Sequence, residues 1–320
     1  MPERGESAVP EGAIPGIVVR AFGKFFVVHI DDDRELLSTV RGGLKRRQRG
    51  TDLVAVGDRV LVTDVGEGEG RIEFVAPRTR ALSRLARLTD DVEQVILANP
   101  DQALFLFAVS NPEPHPRLLD RFLVMAESRG LPCLIGVNKI DLDLPTADGD
   151  SLARSIFGRY EPAYPVHYIS AKTGAGLERL RSALSGKITV VAGPSGAGKS
   201  SLLNTLDPTR ERQVGAISDA TGKGRHTTIA TVLHRAADSE ATYLADTPGI
   251  RALSLQGVDP QSLDRLFPEM RPWLGHCRFA NCAHLAEPDC AVRRAAAEGM
   301  IDRERYESYA ALRRGEDTSE

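Results

Sequence analysis

The sequence is poor in aromatic residues and cysteine, and it has no large excess of one charge. Phe, Tyr and Trp make up 5% of its 320 residues, and it contains 4 Cys. The cysteine count excludes a disulfide-rich secreted scaffold, and a chain of this length can bury a core that needs no such scaffold. The 41 basic and 44 acidic side chains leave a formal net charge of −3. A uniformly basic nucleic-acid-binding protein is therefore excluded, although a local basic face is not.

Long hydrophobic runs are also missing. No stretch approaches the roughly 18 consecutive apolar residues of a membrane-spanning helix, so we predict no membrane span. The N-terminal segment MPERGESAVPEGAIPG lacks the apolar core of a secretory signal. We therefore expect a cytoplasmic protein in a reducing compartment, in which neighbouring cysteines bind a metal instead of forming disulfides.

Short strands near the N-terminus predict a small barrel. Residues 1–15 hold Pro, Gly and Glu with little that can pack, which predicts a disordered tail. Residues 16–80 contain five short β-branched or aromatic runs separated by Gly, Asp and charged clusters, at 17–19, 25–28, 36–40, 60–62 and 72–75. This spacing favours a five-stranded barrel like the oligonucleotide-binding (OB) fold.

Basic residues cluster in and after this barrel. Residues 34–49 carry six basic side chains and one acidic one, and residues 78–88 carry four arginines and no acid. One interpretation is a solvated loop and linker. We favour a face that contacts RNA phosphates, because each neutralised phosphate releases counterions. Stacking candidates are few (Phe22, Phe25 and Phe26), so we expect contacts to the RNA backbone and shape rather than to base edges.

Residues 81–255 have the pattern of an α/β domain. The runs at 102–110 and 133–137 are apolar throughout, as in fully buried strands, and residues 117–130 between them have helical apolar spacing. Two more strands are predicted at 166–169 and 188–192, with a helix over 177–184 between them. The series predicts a parallel sheet with helices on both faces. Residues 256–320 then form a helical region around a Cys/His cluster.

The strongest motif is GPSGAGKS at residues 193–200, which fits the phosphate-binding pattern G-x-x-x-x-G-K-[ST] at every fixed position. A predicted strand precedes it and a helix comes after it, as the pattern requires. Lys199 is expected to act on the β- and γ-phosphates and Ser200 to ligate Mg²⁺. The predicted nucleotide-binding residues of this segment are Gly193, Pro194, Ser195, Gly196, Ala197, Gly198, Lys199, Ser200 and Ser201.

Two further loops select the base. In Asn138-Lys139-Ile140-Asp141, which comes after a buried strand, the carboxylate can accept from both N1–H and N2–H of guanine, a pair that adenine does not offer. The Asn side chain can tie the base to the loop, and the Lys stem can lie along its face. In Ser170-Ala171-Lys172, after another strand, a backbone N–H can meet guanine O6. Together these loops predict guanine over adenine.

Asp246-Thr247-Pro248-Gly249 comes after a predicted strand at 242–245. Asp246 is the expected carboxylate behind Mg²⁺, and the N–H of Gly249 can meet a γ-phosphate. A plain turn is the alternative, which the position of the motif downstream of Lys199 disfavours.

GPSGAGKS, NKID, SAK and DTPG together resemble the signatures of the translation-factor class of P-loop GTPases. That class places the phosphate-binding loop first, whereas here NKID and SAK precede it and DTPG comes last. The domain thus resembles a circularly permuted GTPase, which a sheet tolerates because domain termini often lie close together. With the barrel and the Cys/His cluster, residues 16–310 resemble the bacterial ribosome small subunit-dependent GTPase A family.

This resemblance implies an α/β P-loop GTPase domain with a circularly permuted parallel sheet, an N-terminal OB-like barrel and a C-terminal helical zinc-binding domain. We place these domains at residues 81–255, 16–80 and 256–320. It also implies a monomer that binds GTP and GDP, contacts the small (30S) ribosomal subunit and its 16S rRNA, and hydrolyses GTP under stimulation by that subunit late in its maturation.

The segment GKGRHTT at residues 222–228 resembles the switch I segment of that family. The resemblance implies that one of its two threonines ligates Mg²⁺, and we favour Thr228 over Thr227. His226 would position the attacking water or would be only a solvated loop histidine. Ile250 stands after DTPG, where many GTPases carry a water-orienting Gln. Because an aliphatic side chain cannot bind water, we expect slow intrinsic hydrolysis.

The last motif is Cys277-x4-Cys282-x-His284-x5-Cys290. Three thiolates and one imidazole form a closed tetrahedral set suited to one structural zinc ion, and the spacing matches the family pattern. Buried free thiols are the alternative. Cys133 lies in a predicted buried strand and is interpreted as a core residue.

Two other functions remain open from the residues alone. One is a nucleotide-gated RNA-binding scaffold in which hydrolysis is incidental, which predicts no stimulation by 30S subunits. The other is a P-loop metabolite kinase, which the NKID and SAK loops disfavour and for which no acceptor-binding segment is evident.

Overall fold

The structure is a computed structural model that describes residues 10–30, 34–42, 53–85, 93–207, 231–236, 241–246 and 258–316. The chain forms two compact units, each described by itself. One comprises Met1–Asp101, Ser185–Val190 and Asp207–Ala252, and the other comprises Gln102–Leu184, Val191–Leu206 and Leu253–Glu320.

The first unit contains the predicted barrel. Its strands are β1 (Ile14–Phe22), β2 (Phe25–Ile30), β3 (Glu35–Val40), β4 (Arg59–Gly66) and β5 (Glu69–Val75). They close in the order β1-β2-β3-β5-β4, with β3 and β5 parallel and the other described pairs antiparallel. Alternate residues such as Val18, Val28 and Ile72 fill the interior. The expectation of an OB-like barrel is confirmed.

The predicted disordered tail extends too far into the chain. Residues 1–9 lie outside the described part, but β1 begins at Ile14, and Ile14 pairs with Val62 while Pro15 pairs with Leu61. Ile14 packs against the barrel core, which the Pro and Gly content of the segment concealed. Pro15 lies near the start of the strand, where a missing N–H is tolerated.

The predicted phosphate-contacting arginines are partly used within the barrel. Arg78 is not available to RNA, because its Nε and Nη2 each donate at 2.8 Å to the buried carboxylate of Asp58. Removing either partner would leave a buried charge uncompensated, which costs about 3–5 kcal/mol. Arg34 pairs with Asp64 at the surface, and the partly exposed Arg41 pairs with the buried carboxylate of Glu73. The other basic residues of residues 34–49, namely Lys45, Arg46, Arg47 and Arg49, lie outside the described part.

Two antiparallel strand pairs complete the described first unit. β6 (Ala81–Leu85) pairs with β7 (Glu93–Ala98), and β12 (Val232–Arg235) pairs with β13 (Tyr243–Asp246). The sequence predicts β13 but not β6, β7 or β12, because Ser83 and Arg84 interrupt β6 and two of the four residues of β12, His234 and Arg235, are polar.

The second unit carries the predicted strand-helix-strand series. Its strands are β8 (Gln102–Ala108), β9 (Cys133–Asn138) and β10 (Val166–Tyr168), which pair in parallel. The helices are α1 (Pro116–Ser128), α2 (Leu152–Phe157), α3 (Leu177–Leu184) and α4 (Lys199–Leu206). β11 (Ile188–Ala192) follows α3 in the chain and is buried at every residue. β8 and β9 are buried at every residue, as expected of strands covered on both faces.

The C-terminal part of this unit is helical, as predicted. Two 3₁₀ segments, Pro260–Leu266 and Pro268–Trp273, precede α5 (Ala291–Ala297) and α6 (Arg303–Arg314). Phe267, Tyr309 and Val292 form a small core against which the sulfurs of the Cys/His cluster pack. Regular α-helix is short here because Pro268 begins a new segment directly after the first one and Pro272 lies inside the second, where it removes an N–H donor.

A buried ion-pair network joins this region to α1. Arg305 on α6 is 2% exposed and donates to Asp120 on α1 and, at 2.6 Å, to Glu269. The hydroxyl of Tyr160 donates to the same Asp120 carboxylate at 2.8 Å. Since each buried charge has an opposite charge beside it, the network holds α6 against α1. None of the described helices is long and apolar enough to span a bilayer.

Candidate nucleotide and metal sites

The candidate phosphate loop lies between β11 and α4, as the sequence predicted. Gly193 has φ +151°, and a Cβ there would lie 2.0 Å from the carbonyl oxygen of Leu106 on β8. Only glycine lets the loop pass this close to the neighbouring strand. Lys199 folds back over the loop, and its Nζ donates to the carbonyls of Gly193 at 2.8 Å and Pro194 at 2.7 Å. The ammonium group is thereby positioned at the mouth of the loop.

Asn138, the last residue of β9, joins two of the predicted loops. Its Nδ2 donates to the carbonyl of Ala197 at 2.9 Å, and its Oδ1 accepts from the backbone N–H of Ala171 at 3.0 Å. The side chain is 2% exposed, so both hydrogen bonds are shielded from water. The backbone N–H of Ala171 is one of the groups of this loop that could meet guanine O6. In this structure it donates to Asn138 instead.

Gly198 makes this junction possible. It has φ +92°, and a Cβ at this position would lie 2.3 Å from Nδ2 of Asn138. Any side chain would therefore displace the amide that holds the two loops together. The glycine of the motif thus has a steric role that the pattern alone does not reveal.

Asp141 is held by the second loop. The hydroxyl of Ser170 donates to its Oδ1 at 2.6 Å, and Oγ of Ser170 accepts from the N–H of Thr173 at 3.1 Å. The Ser170 hydrogen bond, aided by the nearby Lys172 and Lys139, holds the pKa of Asp141 below its usual value. The exposed carboxylate is ionised at neutral pH and can accept from two donors at once.

The remaining predicted residues of these loops lie around this junction. Lys139 adopts a left-handed backbone with φ +64°, and its Nζ donates to the carbonyl of Asn111. In the phosphate loop and the first turn of α4, Ser195, Gly196, Ser200 and Ser201 are all exposed. The hydroxyl of Ser200 is of the kind that Mg²⁺ accepts as a ligand in phosphate loops.

Four of the predicted site residues lie at or beyond the edge of the described part of the chain. His226, Thr228 and Gly249 lie outside the described residues. Asp246 is described only in its backbone, which ends β13 and pairs with Val232 of β12.

The Cys/His cluster has the geometry of a tetrahedral metal site. The ligand atoms of Cys277, Cys282, His284 and Cys290 all lie within 4.8 Å of one another. Sγ of Cys277 is 3.8 Å from Sγ of Cys290 and 3.5 Å from Nδ1 of His284. Ideal zinc-sulfur and zinc-nitrogen bonds place two sulfurs about 3.8 Å apart and a sulfur and a nitrogen about 3.5 Å apart. The residues present therefore fit a divalent ion bound by thiolates and imidazole.

The surroundings hold these four side chains in place. Nε2 of His284 lies 3.4 Å from a carboxylate oxygen of Asp264, so the ring presents Nδ1 to the sulfurs. Glu287 accepts from the backbone N–H groups of Ala283, Leu285 and Ala286, on both sides of His284. Although partial burial raises its pKa, these bonds lower it to about 2 overall. Neither Asp264 nor Glu287 was predicted from the sequence, because neither belongs to the ligand spacing.

Two tyrosines of α6 support the same loop. The hydroxyl of Tyr306 donates to the carbonyl of His284 at 2.7 Å. The hydroxyl of Tyr309 donates to the carbonyl of Ala283 at 2.8 Å. Their spacing of three residues on one helix face is a signal that the sequence did contain.

Cys133 takes no part in the cluster, as predicted. It lies in β9 and is 8% exposed. Burial, together with the charge of Glu127, raises the pKa of its thiol to about 12. The group is neutral at physiological pH and behaves as a small core side chain.

Comparisons with known proteins place these features in one family. The sequence profile of the family described as RsgA GTPase matches residues 75–256. A protein of Gemmatimonas aurantiaca named small ribosomal subunit biogenesis GTPase RsgA is 42% identical over 300 residues, which are 93% of this chain and 96% of that protein. The chain belongs to the RsgA GTPase family.

Solved structures support the assignment of this chain to the RsgA family. YjeQ from Thermotoga maritima has a TM-score of 0.75 and 32% identity, with 96% of this chain and 99% of that chain covered. YloQ, described as a circularly permuted GTPase, has a TM-score of 0.73 and 28% identity, with 99% of each chain covered. This chain is accordingly a GTPase with a permuted nucleotide domain, in which NKID on β9 precedes GPSGAGKS after β11.

The steric role of Gly198 predicts a loss of nucleotide binding. Gly198→Ala should weaken binding of GDP by at least about tenfold, because the strained backbone and the displaced Asn138 each cost about 1 kcal/mol or more. Titration with a fluorescent GDP derivative measures the effect. Gly149→Ala is the matched control, because Gly149 also has a positive φ, +84°, but a Cβ there would meet nothing within 4 Å. Equal affinities for the two variants would contradict the role assigned to Gly198.

Proposed function

We propose that this RsgA-family GTPase binds the small ribosomal subunit and hydrolyses GTP to GDP and phosphate under stimulation by that subunit, late in the subunit's maturation. The observation that carries the proposal is the pair of hydrogen bonds from Asn138, which joins the phosphate loop to the loop at 170–172 beside an ionised Asp141. A junction of this kind can hold the phosphates and the base of one nucleotide together.

In this proposal the loops at 138–141 and 170–172 recognise the base, and the phosphate loop binds the phosphates. Asp141 accepts from N1–H and N2–H of guanine, and Asn138, Lys139, Ser170, Ala171 and Lys172 shape the base pocket. Lys199 exchanges the carbonyls of its own loop for phosphate oxygens, which are stronger acceptors because they are charged. Residues from Gly193 to Ser201 supply N–H groups and hydroxyls around the phosphates.

Mg²⁺ would be held by the hydroxyl of Ser200, with Thr228 and Asp246 as the other protein groups. When bound, it neutralises charge that develops on the phosphate oxygens during transfer. Asp246 is the last residue of β13, so its backbone position is fixed by pairing with β12.

Slow hydrolysis by the isolated protein is expected from the residue after DTPG. Ile250 cannot hydrogen-bond to the attacking water. The missing polar group then has to come from His226 or from the ribosome. A partner that completes the site converts the protein from a slow GTPase into a switch that is timed by that partner.

The proposed partner rests on the names of the relatives and on the charge of the barrel. The relatives are named for biogenesis of the small ribosomal subunit. Arg34 and Arg41 lie on the barrel with side chains about half exposed, although each is also paired with a carboxylate, and they are more accessible than Arg78. We infer that the barrel contacts 16S rRNA phosphates, that the protein acts as a monomer, and that it works in the cytoplasm, where subunits mature.

The test is GTP turnover with and without purified 30S subunits. We expect slow turnover by the protein alone and a large increase with 30S, and His226→Ala should lower the stimulated rate by about a hundredfold if the histidine positions water. Lys199→Ala is the control for loss of the phosphate site. Absence of stimulation would favour the scaffold function. Unchanged stimulated turnover in His226→Ala would remove the histidine from the mechanism.

We further propose that the four-residue cluster binds one structural zinc ion. Zinc prefers this donor set, and with four protein ligands no position is left for a catalytic water. The ion would order a region that has only a small apolar core, so its binding energy contributes to folding.

Metal content tests the zinc assignment. Purified wild-type protein should contain about one zinc ion per chain, and Cys282→Ser should lose it together with thermal stability of the C-terminal region. Cys133→Ala is the matched control and should retain the zinc, because its thiol is buried in β9. Elemental analysis and thermal unfolding provide the two measurements. Full zinc content in Cys282→Ser, or a different metal in wild type, would refute the assignment.

A further inference from the structure

One barrel residue, His29, is hydrogen-bonded to both strands of the β12–β13 pair. Its Nδ1 lies 2.8 Å from the hydroxyl of Tyr243 on β13, and its Nε2 lies 3.3 Å from Nη1 of Arg235 on β12. The rings of His29 and Tyr243 also meet edge to face at 5.9 Å. All three residues belong to the first compact unit.

The partners determine the tautomer of His29. A guanidinium group can only donate, so Nε2 must accept from Arg235 and the ring proton must lie on Nδ1. Nδ1–H then donates to the hydroxyl oxygen of Tyr243. The contact is therefore directional and uses both nitrogens of a neutral imidazole.

His29 is held rigidly by the barrel. It lies on β2 and pairs with Ile17 on β1 and with Glu35 on β3. Its neighbours Val28 and Ile30 point into the barrel core, so His29 lies on the outer face. The same outer face carries Phe25 at the start of β2, which is 39% exposed with the Nζ of Lys24 over its ring.

An open crevice lies beside this contact. It has a volume of about 710 Å³ and lies between barrel residues such as Arg59 and Phe74 and the end of the β12–β13 pair at Ala241. Since the space of a crevice is not filled by side chains, it contributes little packing between the barrel and the strand pair. β1 also contacts β12, and the directional hydrogen bonds of His29 add orientation to that contact.

The two contacted strands lead directly to the candidate phosphate-sensing segments. Tyr243 begins β13, and Asp246 ends it three residues later. Arg235 ends β12, and the segment that contains His226 and Thr228 precedes that strand in the sequence. A displacement of His29 would act on both strands together, since Arg235 and Tyr243 are paired across them.

We propose that His29 is a positioning residue for 30S-stimulated GTP hydrolysis, acting through Tyr243 and Arg235 to link the RNA-contacting barrel to the strands that carry the phosphate-sensing segments. The inference rests on the proposed stimulation by the small subunit. When the barrel is bound to RNA, the two hydrogen bonds of His29 hold β12 and β13 in the arrangement that stimulated hydrolysis requires.

The experiment compares full-length wild type with Tyr243→Phe, His29→Ala and His29→Asn. Basal and 30S-stimulated kcat, affinity for 30S subunits and the unfolding temperature are measured for each. Tyr164→Phe is the matched control, because Tyr164 is buried and its hydroxyl has no hydrogen-bond partner among the described residues. His29→Asn retains an N–H donor close to the position of Nδ1.

We expect Tyr243→Phe and His29→Ala to lower stimulated kcat by roughly threefold to tenfold, the rate equivalent of one lost hydrogen bond. Basal kcat, 30S affinity and unfolding temperature should remain those of wild type. His29→Asn should recover part of the loss, and the double variant His29→Ala with Tyr243→Phe should be no worse than either single variant.

Wild-type stimulated kcat in both Tyr243→Phe and His29→Ala would overturn the inference and leave the proposed function intact. A parallel fall in basal kcat or in unfolding temperature would make the contact merely structural and would also overturn it. No stimulation of wild type by 30S subunits would remove the proposed function and this inference together.

Discussion

The candidate nucleotide site depends on the buried side-chain amide of Asn138. Asn138 ends a fully buried strand and uses both of its polar atoms on loops that are distant in sequence, Ala197 in one and Ala171 in the other. Burial makes the two hydrogen bonds strong and makes their loss costly, since each loop would be left with an unpaired backbone group. Gly198 is required by the same contact, because a Cβ there would occupy the space of the amide. The candidate site is thus defined by a single point of contact rather than by the loops separately.

Permutation of the chain leaves this contact intact and changes which segment comes after the sheet. β13, which ends at Asp246, precedes the helical region with the Cys/His cluster in the sequence. That region is anchored to α1 through the buried pair of Arg305 and Asp120, and its loops are tied by Glu287. The candidate metal-binding module and the candidate phosphate-sensing segment are therefore adjacent along the chain, an order that suits the proposed response of the protein to the small ribosomal subunit.

Much of the fold could be predicted from the sequence, because strong patterns coincide with strong physical constraints. The buried strands β8, β9 and β11, the phosphate loop and the spacing of the four metal ligands each have a signature within a few residues. The strands β6 and β12 are short or interrupted by polar residues, so periodicity gave no signal for them. Arg78 was interpreted as an RNA contact because charge alone does not reveal the buried Asp58 that it neutralises. Asp264 and His29 act through contacts with residues distant in sequence, which no local pattern contains.

The most direct test of the account is the base preference of Asp141→Asn. An ionised carboxylate at this position accepts two N–H groups from guanine, whereas an amide can donate to the C2 carbonyl of xanthine. The affinities are compared by competition titrations with GDP, ADP and xanthosine diphosphate. Wild type should prefer GDP over the other two nucleotides. The variant should lose about tenfold to a hundredfold in GDP affinity and gain affinity for xanthosine diphosphate. Unchanged GDP preference in the variant, or a preference of wild type for ADP, would contradict the convergence of these loops on a guanine nucleotide.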